Sequence, residues 1–143
     1  MNVVKAKKGD AKEISICRQK SLEKLGVKEL LDNASFSAVT EDIANEEVFS
    51  LVEKDKILGT VSLGSGQISG LYVDPEFAGR GVGILLLKFI EKYAKSKKMK
   101  SVYVYSTLNA RGFYKKNGYK PVSVAISYSS KKALKFVKMI KKL

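Results

Sequence analysis

Three glycines at alternate positions, Gly79, Gly81 and Gly83, follow Asp74-Pro75-Glu76 and run into the apolar stretch Ile84-Leu85-Leu86-Leu87. A strand, a turn, closely spaced glycines and a helix start together make an anion site. Glycine permits the tight backbone and lets a ligand approach, and the free N–H groups of a first helical turn point at negative oxygens. The helix dipole acts in the same direction. Alone, Gly79 and Gly81 would serve equally as turn residues. The segment is not a P-loop, because no Gly-Lys-Ser/Thr closes it, and no second mononucleotide unit follows to make a dinucleotide fingerprint. Further along, Ala110-Arg111-Gly112-Phe113-Tyr114-Lys115-Lys116-Asn117-Gly118-Tyr119 sets an aromatic pair on a short helix that returns into a strand. Phe113 reads as core, and Tyr114 as a packed ring whose hydroxyl reaches the surface.

The chain has no histidine and one cysteine, Cys17. This excludes a His-based triad, a His or thiolate metal centre, an imidazole base and an internal disulfide, so no metal is expected. Proton transfer falls to carboxylates, Tyr, Lys or water. Cys17, among Ile14, Ile16 and Leu22, reads as a core residue rather than a nucleophile. No apolar run approaches the ~18 residues of a membrane span and residues 1–10 offer no signal-like stretch, so the expectation is a cytoplasmic protein. Its 143 residues suit a single domain spanning 1–143. The net charge of +13 is uneven: residues 1–70 carry −1 and residues 71–143 carry +14. The basic half suits a polyanion, either a nucleic acid or a cofactor with several phosphates, while many of the lysines simply solvate helix faces.

These residues need elements to position them. Asn2 to Ala6 reads as a strand, and Asp10 as the N-cap of a helix to Leu25, with Ile14, Cys17, Ser21 and Leu25 inward and Gly26 as its stop. A helical turn at Lys28 to Leu31 and a helix from Thr40 to Asn45 follow. The period then changes to a hairpin of Val48–Glu53 and Ile57–Leu63, and a further strand, Gln67–Val73. The glycine segment opens a helix to about Lys97 with Leu86, Phe89, Ile90, Tyr93 and Ala94 on one face. Ser101–Ser106 reads as a strand, Asn109–Asn117 as a helix ended by a left-handed Gly118, and Tyr119–Tyr128 and Leu134–Lys141 as two strands joined around Ser129-Ser130. The last of these also fits a helical face through Leu134, Val137 and Ile140.

Taken together, residues 68–121 resemble the centre of the GNAT N-acyltransferase superfamily. Leu71-Tyr72-Val73-Asp74-Pro75-Glu76-Phe77-Ala78-Gly79-Arg80-Gly81-Val82-Gly83 is similar to that family's cofactor signature, and Ala110 to Tyr119 to its second motif. Their order, separation and context fit jointly. The resemblance implies an α/β fold: a mixed, mostly antiparallel sheet with a splayed central strand pair and flanking helices. It implies acetyl-CoA as cosubstrate and direct transfer to an amine. It also implies that the backbone of Leu71, Tyr72 and Val73 pairs with the pantetheine arm and that the pyrophosphate rests on N–H groups of Gly79, Arg80, Gly81, Val82, Gly83 and Ile84. Tyr114 matches the tyrosine that protonates the departing thiolate. Asn109 is a candidate for the pantetheine or sulfur region. Lys116, with Lys115, is placed either at the ribose phosphate or on solvated surface.

Two positions depart from the family pattern. Ala78 stands where Gln or Arg is usual, and Thr107 where Asn is common. For the group that deprotonates the amine, the candidates are Glu46, Glu47, Gln67 and Ser69. The acidic cluster of Glu41, Asp42, Glu46 and Glu47 reads either as an attractor for a cationic amine or as a solvated helix. The competing readings are a CoA- or nucleotide-binding sensor without turnover, and a basic nucleic-acid-binding domain, which lacks any helix-turn-helix, zinc or aromatic single-strand pattern. No acceptor is identified, and the family resemblance adds the expectation of a homodimer through late strands.

Overall fold

The computed structural model describes residues 1–128 and 133–143. The expected turn around Ser129-Ser130 lies outside the described residues. The strands are β1 (Asn2–Lys5), β2 (Glu47–Glu53), β3 (Lys56–Gly64), β4 (Gln67–Val73), β5 (Ser101–Thr107), β6 (Lys120–Ser127) and β7 (Leu134–Lys142). The α-helices are α1 (Ala11–Leu25), α2 (Phe36–Asn45), α3 (Val82–Ser96) and α4 (Arg111–Lys116). The strands form one seven-stranded sheet in the order β1-β2-β3-β4-β5-β7-β6. Neighbours are antiparallel except β4 and β5, which are parallel and share a single register pair, Gln67 with Tyr103. This is the expected mixed, mostly antiparallel sheet with a splayed centre.

Alternation along the strands divides the core. Phe49, Leu51, Val61 and Leu63 point to the face covered by α3, whose Leu86, Leu87 and Ile90 are fully buried. Each such side chain contributes about 1.5–3 kcal/mol by leaving water. On the other face Val48 meets Ala11 and Ile14 of α1 and Val39 of α2. The β2–β3 hairpin turns through Lys54 and Asp55, both at positive φ (49° and 62°), the backbone that matches the twist of the flanking strands.

Several sequence expectations shift. α2 begins at Phe36, not Thr40, because Ser35 caps it by accepting from the Ala38 N–H (3.1 Å). The Lys28–Leu31 turn is a longer 3-10 segment, Lys28–Ala34. Asp10 sits at the start of α1, but its carboxylate accepts from the Lys7 N–H (2.7 Å) of the preceding turn instead of capping the helix. Leu25 is half exposed, and Leu22 takes the inward place assigned to it. Leu134–Lys142 is a strand, held on both edges by β5 and β6. Gly26 and Gly118 end α1 and α4 at positive φ, as expected.

Candidate active site

β4 and β5 part beyond Gln67, so the β5-facing backbone of the rest of β4 has no strand partner. On its other edge, β4 stays paired to β3 through Leu71, Tyr72 and Val73. At the end of β4, Asp74 caps the Pro75–Phe77 turn by accepting from the Glu76 N–H (3.0 Å). Gly79 and Gly81 then take positive φ (79° and 75°), and no atom lies within 4 Å of where a Cβ would stand at either. Such glycines are not needed to make room for packing; they turn the backbone and leave open space beside it. Gly81 is the N-cap of α3, whose first intrahelical acceptor bond is Leu85 N–H to Gly81 O (3.0 Å). The N–H groups of Val82, Gly83 and Ile84 are therefore left for a ligand or water. This donor array, with the helix dipole behind it, fits a pyrophosphate.

Where the strands part, a cavity of about 250 Å³ opens, walled by β4, β5, α1 and the 3-10 segment after it. Tyr114 of α4 forms part of its wall, packed edge-on between Phe113 (5.2 Å between centroids) and Tyr119 (5.5 Å). Burial pushes the Tyr114 phenol well above its ordinary value, with Tyr72 adding to the effect, so the hydroxyl keeps its proton at neutral pH. The two sequence motifs meet at this point. A Cβ on Gly83 would lie 3.5 Å from the Phe113 ring and 3.6 Å from Val73, so the start of α3 rests against both α4 and β4.

The other expected residues are distributed less evenly. Leu71 and Tyr72 line the cavity, while Val73 packs towards the α3 core. The Arg80 guanidinium is drawn to Glu53 (3.1 and 3.2 Å) and lies over the Phe77 ring, which leaves its backbone N–H as the group available to a phosphate. Asn109 does not join Tyr114; it lines a separate groove with Val27, Glu29 and Leu134. Lys115 and Lys116 are exposed in the last turn of α4. Cys17 is buried and its thiol is pushed up to about 12, chiefly by desolvation, which suits a core residue and not a nucleophile.

The sequence reading missed the buried polar cluster behind Tyr72, between α1 and the segments that follow it. Arg18, buried beneath the Tyr72 ring (5.1 Å), donates to the Asn33 carbonyl (2.9 Å) and to Asp42 (2.8 Å). Tyr72 can lie there because Gly70 has no side chain; a Cβ at Gly70 would fall 2.6 Å from the ring. The signal was present as Ser15, Arg18 and Ser21 at spacings of three on the buried face of α1.

An acetyltransferase (GNAT) domain model matches residues 16–143. No curated protein matches in sequence. Among solved structures, a GCN5-related N-acetyltransferase from Rhodopseudomonas palustris superposes with a TM-score of 0.91 at 22% identity, covering 99% of this chain and 95% of that one. PaiA N-acetyltransferase from Thermoplasma acidophilum, in complex with coenzyme A, gives 0.81 at 18% identity, with 99% and 98% covered. An aminoglycoside 6'-N-acetyltransferase complexed with coenzyme A gives 0.77 at 16% identity, with 99% and 97% covered. Identities this low carry the fold alone, but the domain match spans most of the sequence, and on that ground the chain belongs to the GNAT acetyltransferase family.

Proposed function

We propose that the chain works as one acyltransferase domain that moves the acetyl group of acetyl-CoA directly to a primary amine. The observation that carries this reading is the meeting of the glycine cradle and Tyr114's helix at Gly83, beside the β4–β5 cavity. Acetyl-CoA supplies a thioester, an acyl group already activated for attack. The N–H groups of residues 79–84 are read as the pyrophosphate seat, and the unpaired β4 backbone as the rail along which the pantetheine arm lies. A β4 N–H facing the gap would donate to the carbonyl oxygen as negative charge grows there. Tyr114, held protonated by burial, would hand its proton to the departing sulfur. Lys116, exposed in the last turn of α4, is read as a weak phosphate contact. Asn109 is read as a contact only at the outer end of the arm, given its separate groove.

At the far edge of the sheet, β6 has no strand beyond it among the described residues and exposes Val122, Val124 and Ile126, which supports pairing of two copies through late strands. Among the described residues no helix is long and apolar enough to cross a membrane. The test of the main reading is release of free thiol from acetyl-CoA across a panel of primary amines. Amine-dependent release, sharply reduced in Tyr114→Phe, is expected. Release that ignores the amine, or an unaffected Tyr114→Phe, would contradict it.

A further inference from the structure

An ammonium ion has no lone pair, so an acceptor that arrives protonated must lose a proton before it attacks the thioester. Among the described residues, those lining the cavity include no Asp, Glu, Lys or Arg. One carboxylate nevertheless reaches its wall through a hydrogen bond: the Ser69 hydroxyl donates to Glu46 Oε1 at 2.5 Å. Ser69 is the extra residue of a bulge, since Ser62 pairs with Gly70 and Leu63 with Ile68. A bulge re-aims the side chain it inserts. Glu46 lies against Gly64, where a Cβ would stand 2.8 Å from its carboxylate, so that glycine makes room for it. The other acidic candidates are committed elsewhere. Glu47 pairs with Lys5 (2.9 Å), which holds its carboxyl below the usual range, Asp42 pairs with Arg18, and Glu41 lines a different groove, beside Phe36.

We propose that Ser69 and Glu46 form the relay that takes the acceptor amine's proton, with Ser69 as the catalytic residue and Glu46 positioning it and receiving the proton. This rests on the acyl-transfer reading above. The proton count closes. The single Ser69 hydrogen goes to Glu46, so Ser62, 2.9 Å away, donates to Ser69, and one Ser69 lone pair remains to accept from the amine. As an ammonium N–H bond breaks, its proton passes to Ser69 Oγ and the Ser69 proton passes to Glu46, freeing the nitrogen lone pair. After attack the nitrogen sheds its second proton to solvent, from which Tyr114 regains the one it gave to sulfur. The charged and titratable groups facing Glu46 are Lys5 on β1, Glu47 on β2, Tyr93 on α3 and Lys97 just after it, all around the groove on its far side, and Asp42 one turn back on α2.

The test compares ethylamine, protonated at neutral pH, with 2,2,2-trifluoroethylamine, already largely unprotonated there. In Glu46→Gln and Ser69→Ala, transfer to ethylamine should fall on the order of 100-fold, the usual worth of a general base. Transfer to trifluoroethylamine and acetyl-CoA binding by calorimetry should change little. A merely structural role would depress both amines alike. Equal losses, no loss, or a wild type that binds acetyl-CoA yet transfers to neither amine would overturn the relay. A folded wild type that does not bind acetyl-CoA would instead overturn the acyltransferase reading itself.

Discussion

The two arms that part at the centre of the sheet are built by different means. The β4 arm offers a ligand mostly backbone: an unpaired strand edge, two glycines with open space beside them, and the free N–H groups that start α3. The β5 arm, through α4, offers side chains: Tyr114 sits in an aromatic stack with Phe113 and Tyr119, and the Tyr119 hydroxyl donates to Glu91 (2.7 Å), which also holds Lys141 (3.0 Å). Backbone donors recognise charge and shape whatever the neighbouring side chains are. A lone buried hydroxyl does chemistry only if its ring is held in place. On the proposed reading, cofactor binding draws mainly on the first arm, and protonation of the leaving sulfur on the second.

Mutations can break that division. Tyr114→Phe should lower kcat by roughly 10²–10⁴-fold, the range for a lost general acid, while leaving acetyl-CoA affinity within a few-fold; steady-state kinetics beside calorimetry would show it. A loss of affinity as large as the loss of kcat would merge the two roles.

A second test moves to β3, packed against the β4 arm through the pairing of Gly59 with Val73. Gly59, unlike Gly79 and Gly81, is hemmed in: a Cβ there would stand 2.8 Å from the Tyr72 carbonyl oxygen and 2.9 Å from Val82 and Leu86. Gly59→Ala should destabilise the fold by about 1–3 kcal/mol, an overpacking cost, seen in denaturant midpoints. Gly79→Ala should cost less, and its cost is backbone strain at positive φ and not crowding.

High pH should strain both arms and α1 together. The phenols of Tyr114, Tyr119 and Tyr72 and the Cys17 thiol all have folded-state values above their ordinary ones, with burial as the leading cause. The unfolded chain then releases these protons first, so the stability they carry is complete below about pH 8.5, where free thiols begin to titrate, and falls as pH rises past about 10, where free phenols do. Thermal melting across that range would reveal the decline, and Cys17→Ala should flatten its onset. The smallest effect is expected at the surface: Lys116→Gln should weaken acetyl-CoA binding by about 2–5-fold at low salt and less at high salt, as an exposed charge contact does.

How much of this was legible in sequence follows from how local each feature is. The glycine cradle and the Phe113-Tyr114 helix are written in contiguous residues, and the structure forms both where the sequence placed them. The β2–β3 hairpin is equally local. The start of α2 was missed because Phe36 is exposed, so the helical apolar rhythm does not reach back to the Ser35 cap. β7 was ambiguous because Leu134, Val137 and Ile140 suit a helix in isolation; only its place between β5 and β6, which are distant in the chain, decides. Among four candidates for the proton acceptor, sequence had no means to choose. The Ser69–Glu46 bond depends on a bulge and on the space left by Gly64.

The most direct test of the central claim is calorimetric titration of acetyl-CoA into the wild type and Gly81→Glu, which puts a carboxylate into the proposed phosphate cradle. The account predicts binding by the wild type and its loss in the variant, with circular dichroism showing both folded. Undiminished binding by a folded Gly81→Glu would contradict the assignment of the cradle, and absence of binding by the folded wild type would contradict the account as a whole.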